Sequence, residues 1–562
     1  MNVAMSRDSN WNSKLRPELE LILCCARKRL DEETAARVRE ILHGEVNWSD
    51  VEAISLQHRV APFLYQNLRL AAEELVPTRW LDRMRQYVRE SSGLSLILLS
   101  QLLYIHGIFE AEQLPLIPYK GPVLSWLAYH SFTGRTFVDL DFVTKQVNVR
   151  RATELLKSAG YSAEFPPQEE IAGRIGHAPG QYGFVRESVR AHVELHTERT
   201  LRYFPVPLNF DKMSRRFIAV DIAGRKICTF SVEDTLVMLC VHGAKHFWDH
   251  LAWNVDIAEF VSAQTVDWDL AMQIAAEMKS IRVLLLGLYL AHELLKASLP
   301  PHVLERAQRD AAVRWLADRV RASFEGNADA NPGVLPRALF RVRSRDNLRQ
   351  GIRHMARLTM SPTERDRQSA HLPPLLAPLY MLARPLRLVQ EHGLGIRRRF
   401  EPDPAIDELA SQGIIDRMLR LANVGPDDVL YELGCGNGRA VVAIAEKSGI
   451  RAVGVDFSPR LIAEAQLNAR RHGVQSRVQF LHGDAERVDI SEATVVIVYA
   501  GGDADLRLVG RLRSQLSAGA RIVSRDFRIY GWPPERTERL VLPNGRENSL
   551  YLWTVPERPR EI

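Results

Sequence analysis

The chain contains 562 residues, of which 46% are hydrophobic and 25% are charged, as in ordinary soluble globular proteins. Single hydrophobic cores stop growing at about 250–300 residues, so this length excludes a one-domain protein and predicts several domain-sized units. The net charge of +6 permits acidic partners such as nucleotides or RNA but does not require them. The five scattered cysteines show no zinc-type spacing, and they exclude a disulfide-stapled scaffold.

The sequence shows no clear targeting or membrane signal. The segment Met1 to Arg16 is polar and lacks the apolar stretch of a signal peptide. No apolar run approaches the length of a membrane span, and the nearest candidate, Leu372 to Leu386, is short and is interrupted by prolines and Arg384. We therefore expect no transmembrane segment and a cytoplasmic protein.

The first region of the chain changes its pattern twice. Residues 15–113 show apolar positions at the spacing of a helix, which predicts a helical segment. Residues 114–230 show mixed strand and helix patterns, which predict an α/β core, and residues 231–390 are helical again. We therefore treat residues 15–390 as one region in which a central core is flanked by helices.

A strictly alternating stretch, Val138 to Phe142, lies in the predicted core. A strand with this pattern places Asp139 and Asp141 on one face and the apolar residues on the other. Two carboxylates on one face can hold a divalent cation, although an Asp-x-Asp pair on an edge strand is by itself more often a solvated face. The pair therefore becomes informative only together with further polar residues.

A second alternating stretch, Ala191 to His196, has a polar face formed by His192, Glu194 and His196. If the two strands are neighbours, Glu194 completes a site of three carboxylates with the aspartates of the first strand. Such a site with paired Mg²⁺ or Mn²⁺ ions suits nucleotidyl transfer from an NTP. One metal activates the attacking oxygen, and the other binds the triphosphate.

Other side chains of this region are candidates for contact with phosphate or metal. Gly121 precedes a predicted helix and lets backbone N–H groups approach a phosphate, and Lys120 adds positive charge. Lys245 either meets a triphosphate or lies on a helix surface. His242 and His246 are four residues apart and share a helix face, so they either bind a metal or pack in the interior.

Together these features resemble the uncharacterised bacterial nucleotidyltransferase-like family of the DNA polymerase β superfamily. The resemblance rests on Lys120-Gly121, Arg135, Asp139-x-Asp141, Ala159-Gly160-Tyr161 and Glu194-Leu195-His196, with Trp48 and His58 to Pro62 before them and His242 to His246, Trp253 and Asp256 after them. It covers about residues 15–390 and implies a minimal nucleotidyltransferase fold in which Asp139, Asp141 and Glu194 are metal-binding and catalytic. The chain departs from the superfamily in lacking its Gly-Ser phosphate loop and in having Glu194 where an aspartate is more frequent.

A change of composition separates this region from the rest of the chain. Residues 361–407 combine prolines, few periodic apolar positions and the triplet Arg397 to Arg399. We interpret the end of this stretch, residues 391–407, as an inter-domain linker. The triplet is typical of a solvated segment, although its charge also fits contact with nucleic acid or lipid.

The segment Glu432 to Gly438 carries the most specific motif of the chain. It lies between an apolar strand, Val429 to Tyr431, and a predicted helix. Gly434, Gly436 and Gly438 let backbone N–H groups approach a ligand at the positive end of that helix. Their G-x-G-x-G spacing differs from the G-x-G-x-x-G of NAD and FAD sites, and it favours S-adenosylmethionine (SAM).

Two carboxylates further along the chain follow predicted strands. Asp456 ends the strand Val453 to Asp456, about 20 residues beyond the glycine loop, where it can accept hydrogen bonds from both ribose hydroxyls. Asp484 follows a third strand, where a side-chain oxygen can receive the adenine amino group. A fourth strand, Thr494 to Tyr499, continues the alternation of a parallel sheet.

Residues 408–557 resemble the class I SAM-dependent methyltransferases, and the segment Tyr431 to Arg439 resembles a bacterial branch near the protein-lysine and Dot1-like enzymes. The resemblance implies a Rossmann-like doubly wound sheet. It also implies that Glu432 helps to hold the SAM amino end, Asp456 the ribose and Asp484 the base.

The acceptor side of this second region is less defined. Tyr499 to Gly502 stands where amide N-methyltransferases carry Asn-Pro-Pro-Tyr, which argues against glutamine, asparagine or adenine N6 as the methyl acceptor. Transfer to a lysine needs a neutral amine in line with the donor but no general base. Tyr499 is the candidate residue beside the acceptor, and a strand-end aromatic that packs on the core fits the pattern equally well.

We therefore predict a multidomain α/β and α+β protein with two transferase activities. The N-terminal region would transfer a nucleotide from an NTP with Mg²⁺ or Mn²⁺, and the C-terminal region would transfer a methyl group from SAM. The acceptor stays open between a protein side chain, a small molecule and RNA, and so does the oligomeric state. The alternatives are an N-terminal module that only binds nucleotide or substrate, and a non-enzymatic protein that uses both folds as binders.

Overall fold

The chain forms two compact units, Met1–Ile396 and Arg397–Ile562. The computed structural model describes residues 15–163, 180–186, 189, 191–197, 208–325, 334–360, 412–456, 459–483, 488–498, 512, 514–525, 532, 534–541 and 547–556. The boundary between the units falls inside the predicted linker 391–407, and that linker lies outside the described residues.

Helices make up most of the described part of the first unit. In chain order they are α1 (Pro17–Cys25), α2 (Glu32–Leu42), α3 (Trp48–Gln57), α4 (Ala61–Ala72), α5 (Thr78–Ala111), α6 (Pro122–Tyr129), α7 (Val149–Ser158), α8 (Phe210–Ser214), α9 (Val232–Lys245), α10 (Ala252–Ala263), α11 (Trp268–Glu277), α12 (Ile281–Leu295), α13 (Pro301–Arg309), α14 (Ala311–Phe324), α15 (Val334–Arg343) and α16 (Leu348–Met360). Polar residues begin several of them, because the side chains of Asp31, Asn47 and Ser231 accept hydrogen bonds from the first-turn N–H groups of α2, α3 and α9.

A mixed sheet lies among these helices. Its strands are β1 (Ile117–Pro118), β2 (Asp139–Thr144), β3 (Ser162–Ala163), β4 (Gln181–Arg186) and β5 (Ala191–Thr197), in the order β1-β2-β5-β4-β3. β2 and β5 are parallel, whereas the other neighbours are antiparallel. A separate antiparallel pair is formed by β6 (Ile218–Ile222) and β7 (Arg225–Thr229). This arrangement confirms the predicted mixture of strands and helices in the N-terminal region.

The two predicted polar strands are direct neighbours at the centre of this sheet. Asp139 pairs in register with His192, and Asp141 pairs with Glu194. Residues directly opposite each other in adjacent strands point to the same face, so these four side chains project together. The strand begins at Asp139 and not at Val138, whose side chain lies outside it and is exposed.

Helix α5 changes the expectation about membrane spans. It has 34 residues, and an 18-residue window within it reaches a mean hydropathy of 1.5 with 39% of that window buried. The helix therefore meets the length and composition of a membrane span, and the expectation that no run approaches that length was wrong. One such helix is weak evidence, because the core helix of a soluble protein passes the same test, and Leu98, Leu102 and Ile105 of α5 are fully buried.

A buried ion pair ties the segment before β2 to helix α10. Arg135 donates from Nε to Asp256 Oδ1 at 2.7 Å and from a terminal nitrogen to Asp256 Oδ2 at 2.9 Å. The hydroxyl of Tyr129 also donates to Asp256 Oδ1, at 2.8 Å. Because the Asp256 side chain is almost fully enclosed, these donors satisfy a carboxylate that solvent does not reach. Arg135 therefore has a structural partner.

The second unit is built on one larger sheet. Its described elements are helices α17 (Gln412–Leu421), α18 (Arg439–Ser448) and α19 (Pro459–Arg471), and strands β8 (Val429–Leu433), β9 (Arg451–Asp456), β10 (Val478–His482), β11 (Val495–Val498), β12 (Arg521–Arg525), β13 (Arg536–Val541) and β14 (Glu547–Thr554). The strand order is β10-β9-β8-β11-β12-β14-β13. The strands from β10 to β12 in this order are parallel, and β14 is antiparallel to both of its neighbours.

Both faces of this sheet are covered by apolar layers. Leu430 and Val495 belong to one buried cluster, and their chain neighbours Tyr431 and Val496 belong to the other. This alternation confirms the predicted Rossmann-like doubly wound sheet. The strand order reverses beside β8, because β9 lies on one side of it and β11 on the other. Ligands of such sheets bind beyond the carboxyl ends of the strands at this reversal, and the glycine motif lies there.

We expect that replacing Asp256 by Ala destabilises the first unit by about 3–5 kcal/mol, because it leaves the Arg135 charge buried without its partner. Urea unfolding followed by circular dichroism measures this effect. The matched control is E305A, which removes the exposed ion pair of Glu305 and Arg309 and should leave the midpoint unchanged. Equal midpoints for D256A and E305A would contradict the role of the buried pair.

Candidate functional site

The glycine motif of the second unit forms a tight loop at the end of β8. Gly434, Gly436 and Gly438 have φ angles of +83°, +55° and +73°, which side chains other than glycine rarely adopt. The N–H groups of Gly434 and Cys435 both donate to the carbonyl oxygen of Val455 in β9, at 2.9 and 3.0 Å. The loop is thus fastened to the neighbouring strand, and helix α18 begins directly after Gly438.

Close packing beneath the loop also requires small residues. A Cβ atom on Gly438 would lie 2.6 Å from the ring of Phe480 and 2.7 Å from Ala465 Cβ. A Cβ atom on Gly454 would lie 2.8 Å from Cys435 Sγ and from the same ring. Cys435 is buried, and the pKa of its thiol is raised by burial and by the charges of Glu432 and Asp456. The cysteine thus fills space under the loop as a neutral thiol.

Glu432 is a buried carboxylate that lacks a full set of partners. Only 3% of its surface is exposed, and its Oε2 atom has no hydrogen-bond partner among the described residues. Burial raises its pKa to about 8, while an N–H bond from Val441 lowers it and the charge of Asp456 raises it further. The Oδ1 atom of Asn437 in the loop is also buried without a partner among those residues. Two acceptors beside one loop indicate a missing donor.

Asp456 lies against the loop, as the sequence predicted for a ribose-binding residue. Its Oδ2 atom accepts a hydrogen bond from the N–H of Gly436 at 2.8 Å, and its carbonyl oxygen accepts one from Gly483 at 3.0 Å. The ends of β8, β9 and β10 therefore meet at one edge. Asp484 and Tyr499, the predicted residues for the base and the acceptor, lie outside the described residues.

These observations fit SAM as the ligand of the loop. An ammonium group supplies the hydrogen-bond donors that Glu432 Oε2 and Asn437 Oδ1 lack, and its charge favours the ionised form of Glu432. Asp456 presents a carboxylate one strand away, at the position where ribose hydroxyls are held in sheets of this type. The sequence prediction did not include Asn437, and its only signal was its place between two glycines of the motif.

The polar face of β2 and β5 in the first unit brings together the carboxylates predicted from the sequence. Two overlapping groups of possible metal ligands occur there, Asp139 with His192 and Glu194, and Asp141 with Glu194 and His196. Within each group the ligand atoms lie within 4.8 Å of one another. Glu194 belongs to both groups, so the face forms one continuous cluster.

Asp141 has strong internal partners. Lys120 Nζ lies 3.1 Å from its Oδ1 atom, and His196 Nε2 lies 3.0 Å from the same oxygen. Burial raises the pKa of Asp141, but the Lys120 charge and the His196 hydrogen bond outweigh it and hold the pKa well below its usual range. The pKa of His196 is lowered by burial but is raised overall by its hydrogen bonds to Asp141 and Glu194. Lys120 was predicted to contact phosphate, and in this structure it binds Asp141.

Asp139 has a different environment from Asp141, although the two share a face. Burial raises the pKa of Asp139 to about 6, and the neighbouring charge of Asp141 adds to the rise while Lys120 opposes it. Glu194 accepts a hydrogen bond from Gln181 Nε2 at 2.7 Å and lies 3.3 Å from His196 Nε2. Gln181 comes from β4, and no feature of the sequence pointed to it.

Gly121 and the end of helix α9 complete the surroundings of the cluster. Gly121 has a φ angle of +54°, and a Cβ atom there would lie 3.2 Å from the carbonyl oxygen of Asp139. Around α9, His242 and His246 pack with Trp253 at ring-centroid distances of 5.5 and 5.3 Å. This favours the packing role for the two histidines. The pKa of Lys245 is lowered by burial and by the charge of Lys120.

Comparison with known proteins assigns both units. Residues 44–296 match the family model of the uncharacterised nucleotidyltransferases, and residues 432–536 match that of the ANTKMT methyltransferase domain. A protein-lysine N-methyltransferase from Saccharolobus islandicus is 37% identical over 146 residues, which are 26% of this chain and 89% of that protein. The chain belongs to the SAM-dependent methyltransferases. Its first unit contains a nucleotidyltransferase-like domain.

Other similar proteins match the methyltransferase domain over a shorter length. A lysine N-methyltransferase of Rattus norvegicus that is named for an ATP synthase component is 31% identical over 108 residues, 19% of this chain and 50% of that protein. The adenine nucleotide translocase lysine N-methyltransferase of Mus musculus is 32% identical over 126 residues, 22% of this chain and 54% of that protein. The chain thus spans about half the length of these two relatives.

One solved structure is also similar in sequence to this domain. It is an RNA methyltransferase from Salinibacter ruber in complex with S-adenosyl-L-homocysteine, and it is 42% identical. The match covers 27% of this chain and 95% of that chain, with a TM-score of 0.25.

We expect that replacing Gly438 by Ala weakens SAM binding at least tenfold, because the added Cβ would meet Phe480 and Ala465 at a φ angle of +73°. Isothermal titration calorimetry of the full chain measures the affinity. The matched control is G473A, which has a φ angle of +68° but open space around the added atom, and which should bind SAM normally. Wild-type affinity in G438A would show that the loop does not bind the cofactor.

We also expect SAM binding at pH 7 to release a proton. With a pKa of about 8, Glu432 is mostly protonated before binding, and the cofactor ammonium favours its ionised form. The raised pKa also means that the unliganded domain loses stability as the pH rises from about 4.5 to 8, since the folded state holds the proton more tightly. Titrations in two buffers of different ionisation enthalpy should give different heats, and E432Q should abolish the difference. Equal heats for the wild type would refute the linkage.

Proposed function

We propose that the chain is a bifunctional transferase. Its methyltransferase domain transfers the methyl group of SAM to a lysine of a protein, and its nucleotidyltransferase-like domain transfers a nucleotide from an NTP with a divalent cation. The observation that carries the methyl transfer is the buried Oε2 atom of Glu432 beside the glycine loop, which lacks a partner among the described residues. Nucleotidyl transfer is supported by the carboxylates that β2 and β5 hold on one face.

A protein lysine is the acceptor that the similar proteins favour. The relative from Saccharolobus islandicus is named as a protein-lysine N-methyltransferase, and the rat and mouse relatives are named for lysine methylation of two specific proteins. The segment Tyr499 to Gly502 lacks the Asn-Pro-Pro-Tyr motif of amide methyltransferases, which agrees with an amine acceptor. RNA and small molecules are the competing acceptors that the experiment below distinguishes.

The residues of the methyltransferase domain bind and orient, and the chemistry requires little more. SAM supplies a methyl group on a sulfonium, which an amine can displace in line. In this proposal Glu432 holds the amino end, Asp456 holds the ribose, and Asp484 receives the base. The enclosed loop keeps water away from the cofactor, and Tyr499 is assigned to the side of the incoming lysine.

The acidic cluster of the first unit provides the corresponding positions for nucleotidyl transfer. Asp139, Asp141 and Glu194 offer the oxygen ligands that Mg²⁺ or Mn²⁺ takes with a triphosphate. Such a cation neutralises the phosphate charge and assists the leaving pyrophosphate. Lys120 and Gly121 lie beside the cluster, so the attacking acceptor oxygen would meet the α-phosphorus on a positively charged side of the site.

One observation favours a second candidate function for the first unit. Asp141 already has two internal partners at 3.1 and 3.0 Å, which resembles a satisfied structural carboxylate more than an open ligand. In that case the domain binds a nucleotide or recruits the substrate of the methyltransferase without turnover.

We also propose a cytoplasmic location. The five cysteines, Cys24, Cys25, Cys228, Cys240 and Cys435, are all free thiols. Free thiols agree with a reducing compartment.

The test incubates the full chain with cell extract, labelled SAM and each α-labelled NTP, and then identifies modified molecules by mass spectrometry. We expect methyl label on lysines of a protein and nucleotide label on a second acceptor. D456N should lose at least 90% of the methyl label, and D139N should lose at least 90% of the nucleotide label, because each change removes a ligand of only one site.

Each variant is the control for the other, since a change that merely unfolds the chain removes both labels. Methyl label on RNA or on a small molecule would refute the lysine acceptor. Absence of nucleotide label in the wild type, together with NTP binding that D139N weakens, would establish the binding function in place of transfer.

A further inference from the structure

The polar face of β2 and β5 separates into an outer and an inner group. The outer group, Asp139, His192 and Glu194, consists of partly exposed side chains that a dissolved ion can reach. In the inner group, Asp141 and His196 are buried, and only Glu194 is partly exposed. The two groups share Glu194, so an ion in one group changes the charge that the other group experiences.

The inner group already contains a cation. Lys120 Nζ lies 3.1 Å from Asp141 Oδ1 and is itself 11% exposed, so its charge is neutralised mainly by this carboxylate. His196 Nε2 occupies the same oxygen at 3.0 Å and also approaches Glu194 Oε2 at 3.3 Å. A divalent ion placed on Asp141 Oδ1 would face the Lys120 ammonium at close range. Moving the ammonium away would leave a buried charge without its partner, which is strongly unfavourable.

We propose that this site binds a single divalent transition-metal ion through Asp139, His192 and Glu194, and that the Lys120 ammonium stands in for a second ion at Asp141. The register of the sheet supports this grouping, because Asp139 lies directly opposite His192 while Glu194 lies opposite Asp141. The ligand set differs from three carboxylates in containing an imidazole in place of Asp141.

The ligand types select the class of metal. Mg²⁺ strongly prefers oxygen ligands and retains its waters, whereas an imidazole suits Mn²⁺, Zn²⁺ and the other first-row ions better. Two carboxylates and one imidazole leave the remaining positions of the ion open to phosphate oxygens. The inference deepens the proposed nucleotidyl transfer and rests on it for the purpose of the site, but metal binding can be measured without any nucleotide.

The experiment titrates the metal-free full chain with Mn²⁺ and follows free Mn²⁺ by electron paramagnetic resonance. We expect one ion per chain, which a tenfold excess of Mg²⁺ does not displace. Electron spin-echo modulation should show ¹⁴N coupling from the imidazole of His192. H192A should lose this coupling and bind Mn²⁺ at least tenfold more weakly, whereas H302A, which changes an exposed histidine on α13, should behave as the wild type.

A further variant tests the role of Lys120. K120M removes the ammonium and frees Asp141, so the number of bound Mn²⁺ ions should rise from one to two per chain. Thermal unfolding and circular dichroism of each variant confirm that the domain is folded.

Two comparable ions in the wild type, no bound ion, or ¹⁴N coupling that persists in H192A would overturn the proposal. A K120M chain that is folded and still binds one ion would overturn the part that concerns Lys120. One bound Mn²⁺ ion without nucleotide transfer would leave this inference standing while it refutes the proposed transfer.

Discussion

A carboxylate that is buried beside a sheet needs a positive or hydrogen-donating partner, and the two units of this chain meet that need in different ways. Asp141 finds its partners inside the protein, in Lys120 and His196. Glu432 keeps one oxygen without a partner among the described residues, and burial raises its pKa to about 8. The first arrangement stabilises the fold by itself, whereas the second is completed only when a cofactor brings an ammonium group.

Much of this could be predicted from the sequence, because the relevant patterns are local. Alternation with period two placed Asp139 and Asp141 on one face, and the glycine spacing located the loop after β8. The partner of Lys120 could not be predicted, since the ion pair joins residues 21 positions apart whose distance depends on the packing of α6 against the sheet. The same holds for Gln181, which reaches Glu194 only because β4 pairs with β5.

The assignment of chemistry follows the same division between local and distant information. A motif such as Glu432 to Gly438 contains its own loop, its own acidic residue and the start of its own helix, so the sequence alone indicates the ligand. The cluster on β2 and β5 is assembled from strands that lie far apart in the chain, and its ligand set depends on which side chains are already engaged. For that reason His192 could be placed on the polar face from the pattern, whereas its preference over Asp141 required the three-dimensional contacts.

The thiol packed beneath the glycine loop has a consequence for the integrity of the enzyme. A sulfonium donor alkylates soft nucleophiles readily, and a thiolate is the form of cysteine that attacks. Cys435 is enclosed, and its raised pKa keeps it in the unreactive protonated form at neutral pH. The domain can therefore hold a reactive alkylating agent directly above a cysteine without inactivating itself.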